Sequence, residues 1–302
     1  MMRSITEILA FHDERWVRNW LYHGFILCEV SRLGSLREAL VETKKKANCN
    51  LGKRIHFSEL RSSSHGSSRT RTAVNWAGLF VTKLYQNMWF YFFGVNLKNI
   101  DYQFFGPPSN GQNRHSRIYN RFFEIGLFSA CRFFFDPSIE EVEVLRIFSE
   151  KRELANTNPF LTLAPYKINR RESNIVAKTR QIIQVDSVPS KEKDNPECCD
   201  ILNLVDVLMG AFSQALDYTS GSRGCSEVAE KTMPVCRRLS ETPYNRNSLY
   251  YKRYAMSFFP KSKQSVLKIG SYGIKPPEDQ FYSRRTIRLY QDCIPGFDEF
   301  IG

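Results

Sequence analysis

Five stretches of the chain end on a carboxylate or enclose one in apolar surroundings. "ILAFHDE" closes on Asp13 and Glu14, "HFSEL" carries Glu59, "LRIFSE" ends at Glu150, "IIQVDS" reaches Asp186, and "DILNLVDVLMGAF" encloses Asp206. An ionised carboxylate is costly to desolvate unless it is paired, hydrogen-bonded or bound to a metal. Several brought together repel one another, and they persist as ionised groups mainly when cations bridge them. Mg2+ takes oxygen ligands and keeps waters, which leaves positions for phosphate oxygens, and two such ions about 3.5–4 Å apart can activate a water against a phosphodiester. The chemistry open to these acids is therefore metal-dependent phosphodiester cleavage. His12 beside Asp13 and His56 in "HFSEL" are candidates for hydrogen bonds within such a site, while His23, His65 and His115 read as surface residues.

Each acid also has an ordinary reading. On a helical wheel Asp206 shares an arc with Asn203, Gly210 and Ser213, opposite Ile201, Leu204, Val205, Leu208 and Phe212, the pattern of a solvent-facing Asp. Gly210, one turn on, would let another part of the chain or a ligand approach. Asp13 and Glu14 could cap a turn, Asp186 could start one, and Glu59 could pair with a nearby Arg. The chain has no Walker loop, G-x-G-x-x-G, G-x-S-x-G or H-E-x-x-H, so nucleotide-cradling and zinc-hydrolase chemistry lack sequence support.

The elements that must position these acids alternate between strand and helix patterns. Residues 8–14 and 22–30 predict a hairpin. A helix over 33–46 ends in lysines that suit the negative end of its dipole. After the Ser/Arg-rich stretch near 61–71, read as flexible, a helix is expected over 72–86 and a buried strand over 88–97. Gly106, Pro107 and Pro108 break the chain before a helix over 116–135. Residues 138–148 fit either a helix opened by a Ser138/Glu141 capping box or a strand over 142–148. A β-branched strand over 179–187 leads through a turn-rich segment to Asn195-Pro196, the expected start of the helix that contains Asp206. This alternation predicts an α/β domain with the sheet inside.

The 302 residues carry a formal charge of +12 at pH 7, half of it in the tail from Gly221 onward, where "YYKRYAMSFFPKSK" and "QFYSRRTIRLY" interleave rings with cations. Such a surplus points to a polyanionic partner, with Lys252, Arg253, Arg284 and Arg285 as candidate nucleic-acid contacts, or to a solvated basic face. No secretory leader pattern heads the chain, and the longest apolar run, 88–95, is far short of the roughly 20 residues of a membrane span. A cytoplasmic protein with no membrane association is expected. The eight cysteines show no C-x-x-C pair, so reduced thiols are the simple expectation.

Taken in order, "FHDE", "IHFSEL", "IIQVDS" and "LVDVLMGAF" resemble the motifs of the domain-of-unknown-function family numbered 3800, whose members are similar to ribonuclease H in fold. The likeness covers roughly residues 8–218, and the strand over 142–148 is preferred by this comparison. Two features depart from the family pattern. Arg15 and Trp16 stand where it has Ser-Gly, and "LRIFSEKR" stands where it has a strand ending in Asp, so Glu150 would have to serve there, with Asp136 as an outside candidate. The resemblance implies a ribonuclease-H-like mixed sheet flanked by helices over 1–220, with 221–302 as a basic aromatic extension packed on it or continuing it. It also implies a metal-dependent nuclease using Mg2+ or Mn2+, with Asp13, Glu59, Glu150 and Asp206 as the catalytic cluster. The metal ligands would be Asp13, Glu59, Asp186 and Asp206, with Glu14 flanking. A non-catalytic nucleic-acid-binding or interaction protein with the same fold is the alternative.

Overall fold

The computed structural model describes residues 4–64, 66–100, 114–135, 139–151, 160–170, 174–216, 222–241, 252–259, 268–270 and 273–275. Strands β1 (Ser4–Val17) and β2 (Trp20–Glu29) form the expected hairpin, paired from Ile8 with Glu29 and extending further toward the turn than the hydrophobic pattern suggests, to Val17 with Trp20. Arg18 makes its two-residue turn possible by taking a left-handed conformation, φ 52°, that non-glycine residues seldom adopt. Strand β3 (Trp89–Asn96) lies antiparallel to β2, and β4 (Glu140–Glu150) lies parallel to β1. β5 (Ile175–Ala177) and β6 (Ile182–Val185) pair in parallel with successive parts of β4, and β7 (Tyr254–Phe259) closes the other edge, parallel to β3. The result is a mixed seven-stranded sheet in the order β5-β4-β1-β2-β3-β7, with β6 also on β4.

Helices cover both faces. On one face the core is built by α1 (Leu33–Lys46), α2 (Ser68–Thr82), α5 (Cys199–Ala215) and α6 (Arg223–Glu241); on the other by α3 (Arg114–Phe134) and α4 (Phe160–Asn169). Strands covered on both faces need no polar side, which is why "WLYHGFILCE" and "WFYFFGVN" read as continuous apolar runs instead of alternating. Residues 223–241 and 254–259 belong to the same body, since α6 packs into the first core and β7 pairs with β3. Beyond them, β8 (Lys268–Gly270) and β9 (Gly273–Lys275) pair with each other.

Several expectations shift. Helix α2 starts four residues before the sequence reading places it, because Ser67 caps it by accepting from the Thr70 N–H and because Thr70 and Thr72 are buried. The Ser/Arg composition had read as a flexible loop. The strand preferred over 142–148 is present and runs two residues further at each end, Glu140–Glu150. At the start of the Asp206 helix, Asn195 makes no side-chain cap; a 3-10 turn, Pro196–Cys198, leads into α5 instead. Pro196–Ala215 is long and apolar enough to cross a membrane, but it lies wholly buried in this domain. The seven described cysteines are free and buried, and burial pushes the thiols of Cys28, Cys131, Cys198 and Cys199 up to about 12, so they are poor nucleophiles.

Candidate functional site: an acidic cluster threaded by arginines

Residue alternation along β1 decides which groups can meet. Asp13 pairs in register with Gly24, and a Cβ at Gly24 would run into Val205 and Met209 of α5, so Asp13 lies on the α5 face. His12 faces the other way, its ring against Phe25, Tyr119 and Phe123. It therefore makes no hydrogen bond beside Asp13, contrary to the sequence reading. It bonds Ser149 Oγ at 3.1 Å through Nδ1, and its Nε2 meets His23 Nδ1 at 3.0 Å. His23 is a second correction, because it is fully buried, not a surface residue. Among the described residues its Nε2 has no partner.

Burial pulls the His23 pKa down to about 3. Between pH 3 and the unfolded value near 6.5 the native state then binds fewer protons than the unfolded chain, so this group's stability contribution is present above 6.5 and is lost as pH falls. Acid titration of the melting transition should show a loss of up to about 1.4 kcal/mol per pH unit in that window. His23→Gln, which keeps polar atoms but does not titrate, should flatten that slope.

Asp206 is reached through the 3-10 turn Phe57–Arg61. Helix α5 is buried along all 17 residues, so Asp206 faces protein and not water, 3% exposed. Its Oδ2 accepts the Phe57 N–H at 2.5 Å, and its Oδ1 stands 3.4 Å from His56 Nε2. The Phe57 ring rests on Gly210, where an added Cβ would come within 2.1 Å of Phe57 Cγ. The Phe57 carbonyl accepts from Cys225 Sγ of α6 at 3.6 Å. "HFSEL" and "DVLMG" are thus two halves of one joint: the carboxylate takes the backbone and the glycine admits the ring.

The loop before this turn is held by Lys44, which stands in the last turn of α1 as the sequence reading has it and is also fully buried, paired with Asp200 and donating to the carbonyls of Leu51 at 3.2 Å and Lys53 at 3.0 Å. This anchor delivers Arg54 into the acidic cluster. Arg54 donates to Glu59 Oε1 at 3.0 Å, lies 3.4 Å from Glu150 Oε1 and 3.5 Å from Ser187 Oγ, and Ser187 donates to the same Glu150 oxygen. Arg69, from the first turn of α2, pairs with the other Glu59 oxygen at 2.9 Å. Burial alone would lower the Arg54 pKa, but Glu59 and Glu150 outweigh it and the net shift is upward.

Arg15 completes the cluster. It leaves β1 two residues after Asp13, lies 5.0 Å over the Phe57 ring, and feels the charges of Asp206, Arg61 and Asp13. Desolvation leads the causes that lower its pKa. Sequence reasoning noted Arg15 only as a departure from the family pattern and did not identify Arg54 or Arg69. The available signal was the density of arginines around "RIHFSEL".

The structure brings Asp13, Glu59, Glu150 and Asp206 to one end of the sheet on the α5 face, but the groups that lie between them are guanidiniums. Asp186 stands apart as a turn residue: its Oδ1 accepts the Val188 N–H at 2.9 Å, and its own N–H donates to Glu192 at 2.7 Å. Asp13 accepts the Glu14 N–H at 2.8 Å. This donor set does not suit Mg2+ or Mn2+. Among the described residues no three Asp, Glu, His or Cys side chains form a group able to hold a metal ion. Glu59 and Glu150 are already answered by Arg54 and Arg69, and Asp206 by the Phe57 N–H, and a dication beside those guanidiniums would be repelled. Of the candidate nucleic-acid contacts, Lys252 is exposed, Arg253 stacks 4.5 Å over Trp89, and Arg284 and Arg285 lie outside the described residues, as does Asp136, the outside candidate for the acid at Glu150. Compared with known proteins, the chain matches no family model, no curated protein and no solved structure.

Proposed function

We propose that the chain is a nucleic-acid-binding protein on a ribonuclease-H-like sheet, in which the acidic cluster anchors arginines instead of holding a catalytic metal. The observation that carries this reading is the position of Arg54 between Glu59 and Glu150, where a bridging cation would otherwise be needed. The order of the elements supports the fold assignment: hairpin, helix, "HFSEL" turn, late strand and long buried helix follow the sequence resemblance. The formal charge of +12 supports a polyanionic partner. A single-stranded oligonucleotide in EDTA should bind at low salt and weaken steeply as salt rises, with a log–log slope of about −0.7 per phosphate contacted. Absence of binding near 50 mM salt, by fluorescence anisotropy, would defeat the proposal.

A metal-dependent nuclease is the second reading, favoured by one observation: four acids from four separate elements meet at one end of the sheet. That reading requires Arg54 to leave Glu59 and Glu150.

A further inference from the structure

We propose that the groove between α1, α2 and α6, and not the acidic cluster or the C-terminal tail, is where the chain holds a phosphate-bearing segment of single-stranded nucleic acid. The inference rests on the nucleic-acid reading and gives it a location. The groove has a volume of about 470 Å³, within the range of about 300–1,000 Å³ usual for ligand sites. Its floor is formed by Ala39, Val74 and Leu79, and Lys46, Lys83 and Lys231 line it, one lysine contributed near each of the three helices. Glu42 is the single acid in the lining and lies 3.9 Å from Lys46. Lys83 and Lys231 are exposed and meet no carboxylate among the described residues.

That arrangement separates two kinds of surface in one cavity. Ammonium groups act as point charges for phosphate oxygens, and a small apolar floor accepts the face of a sugar or base. Gly78 shapes the groove. A Cβ built there meets nothing within 4 Å, so the missing side chain opens space that no other residue fills. In the middle of a helix a glycine is unfavourable relative to other residues by roughly 0.5–1 kcal/mol, so α2 would be steadier with a larger residue at this position. The acidic cluster is a poorer candidate, because Arg54 and Arg69 are already engaged by Glu59 and Glu150.

The test is anisotropy of a fluorescein-labelled 20-mer of deoxythymidine on three variants of the full chain: Gly78→Leu, Lys83→Ala with Lys231→Ala, and Arg284→Ala with Arg285→Ala. Gly78→Leu places its Cβ in open space and extends into the groove, and with a better helix former in α2 its melting temperature should equal or exceed the parent's. Both groove variants should bind about tenfold or more weakly, and the lysine pair should also flatten the salt slope by about 0.7 per lost phosphate contact. Full affinity in the groove variants with loss in the Arg284/Arg285 variant overturns the inference and leaves nucleic-acid binding intact. Polyglutamate displacing the oligonucleotide from the parent at equal charge concentration also overturns it, since the groove would then select acidic chains in general. A parent that binds no oligonucleotide defeats the underlying reading itself.

Discussion

Asp206→Leu should destabilise the protein by about 3–5 kcal/mol in chemical denaturation, the range for breaking one side of a buried charged arrangement. Two groups lose their partner at once: the Phe57 N–H is left buried without its acceptor, and His56 loses the oxygen at 3.4 Å. Asp206→Asn keeps an acceptor for Phe57 N–H and should cost clearly less. A residue whose only task was to ligate a metal would show little difference in stability between the two substitutions. Equal small losses for Leu and Asn would contradict the joint described between α5 and the Phe57 turn.

Gly210→Ala should cost about 3 kcal/mol, at the upper end of what overpacking a core usually does. The added carbon would fall 2.1 Å from Phe57 Cγ, with the two ring Cδ atoms at 2.4 and 2.5 Å, so the ring must leave its seat. Moving it pulls the backbone that donates to Asp206. The two sites are therefore coupled: with Phe57→Ala in the background, Gly210→Ala should become nearly neutral, and the costs should fail to add. Additive costs would place the ring elsewhere.

How much of this was legible in the sequence depends on the range of the interaction. α1 and β3 follow from local hydrophobic spacing, β4 is chosen over a helix only through the family resemblance, and the sheet's helix-flanked α/β class follows from the alternation of strand and helix patterns. Asp206 shows the limit. Its wheel pattern, with Asn203, Gly210 and Ser213 on one arc, fits a solvent-facing side equally well, and nothing local reveals that the 3-10 turn covers that arc. Likewise His23 sits in a strand buried on both faces, where polarity no longer marks the outside. Short elements such as β5, three residues long, exist only through pairing with β4 and carry too little pattern to be seen beforehand. The acids were found because carboxylates in apolar segments are unusual. A nearby arginine for Glu59 was also foreseeable, and Arg54 and Arg69 fill that role, but the bridge from Arg54 to Glu150 spans 96 residues of sequence and only the folded chain shows it.

Metal-dependent stabilisation tests the central claim most directly. A ligand that binds only the folded state at about 100 times its dissociation constant stabilises it by about 2.7 kcal/mol, which for a domain of this size raises the melting temperature by several degrees. Melting curves recorded in millimolar Mn2+ and in EDTA should coincide to within about one degree, because Arg54 and Arg69 already pair with Glu59 and Glu150 and the Phe57 N–H already occupies Asp206. A rise of about five degrees or more in Mn2+ that disappears in Asp206→Asn would contradict the account and restore a metal centre to this end of the sheet.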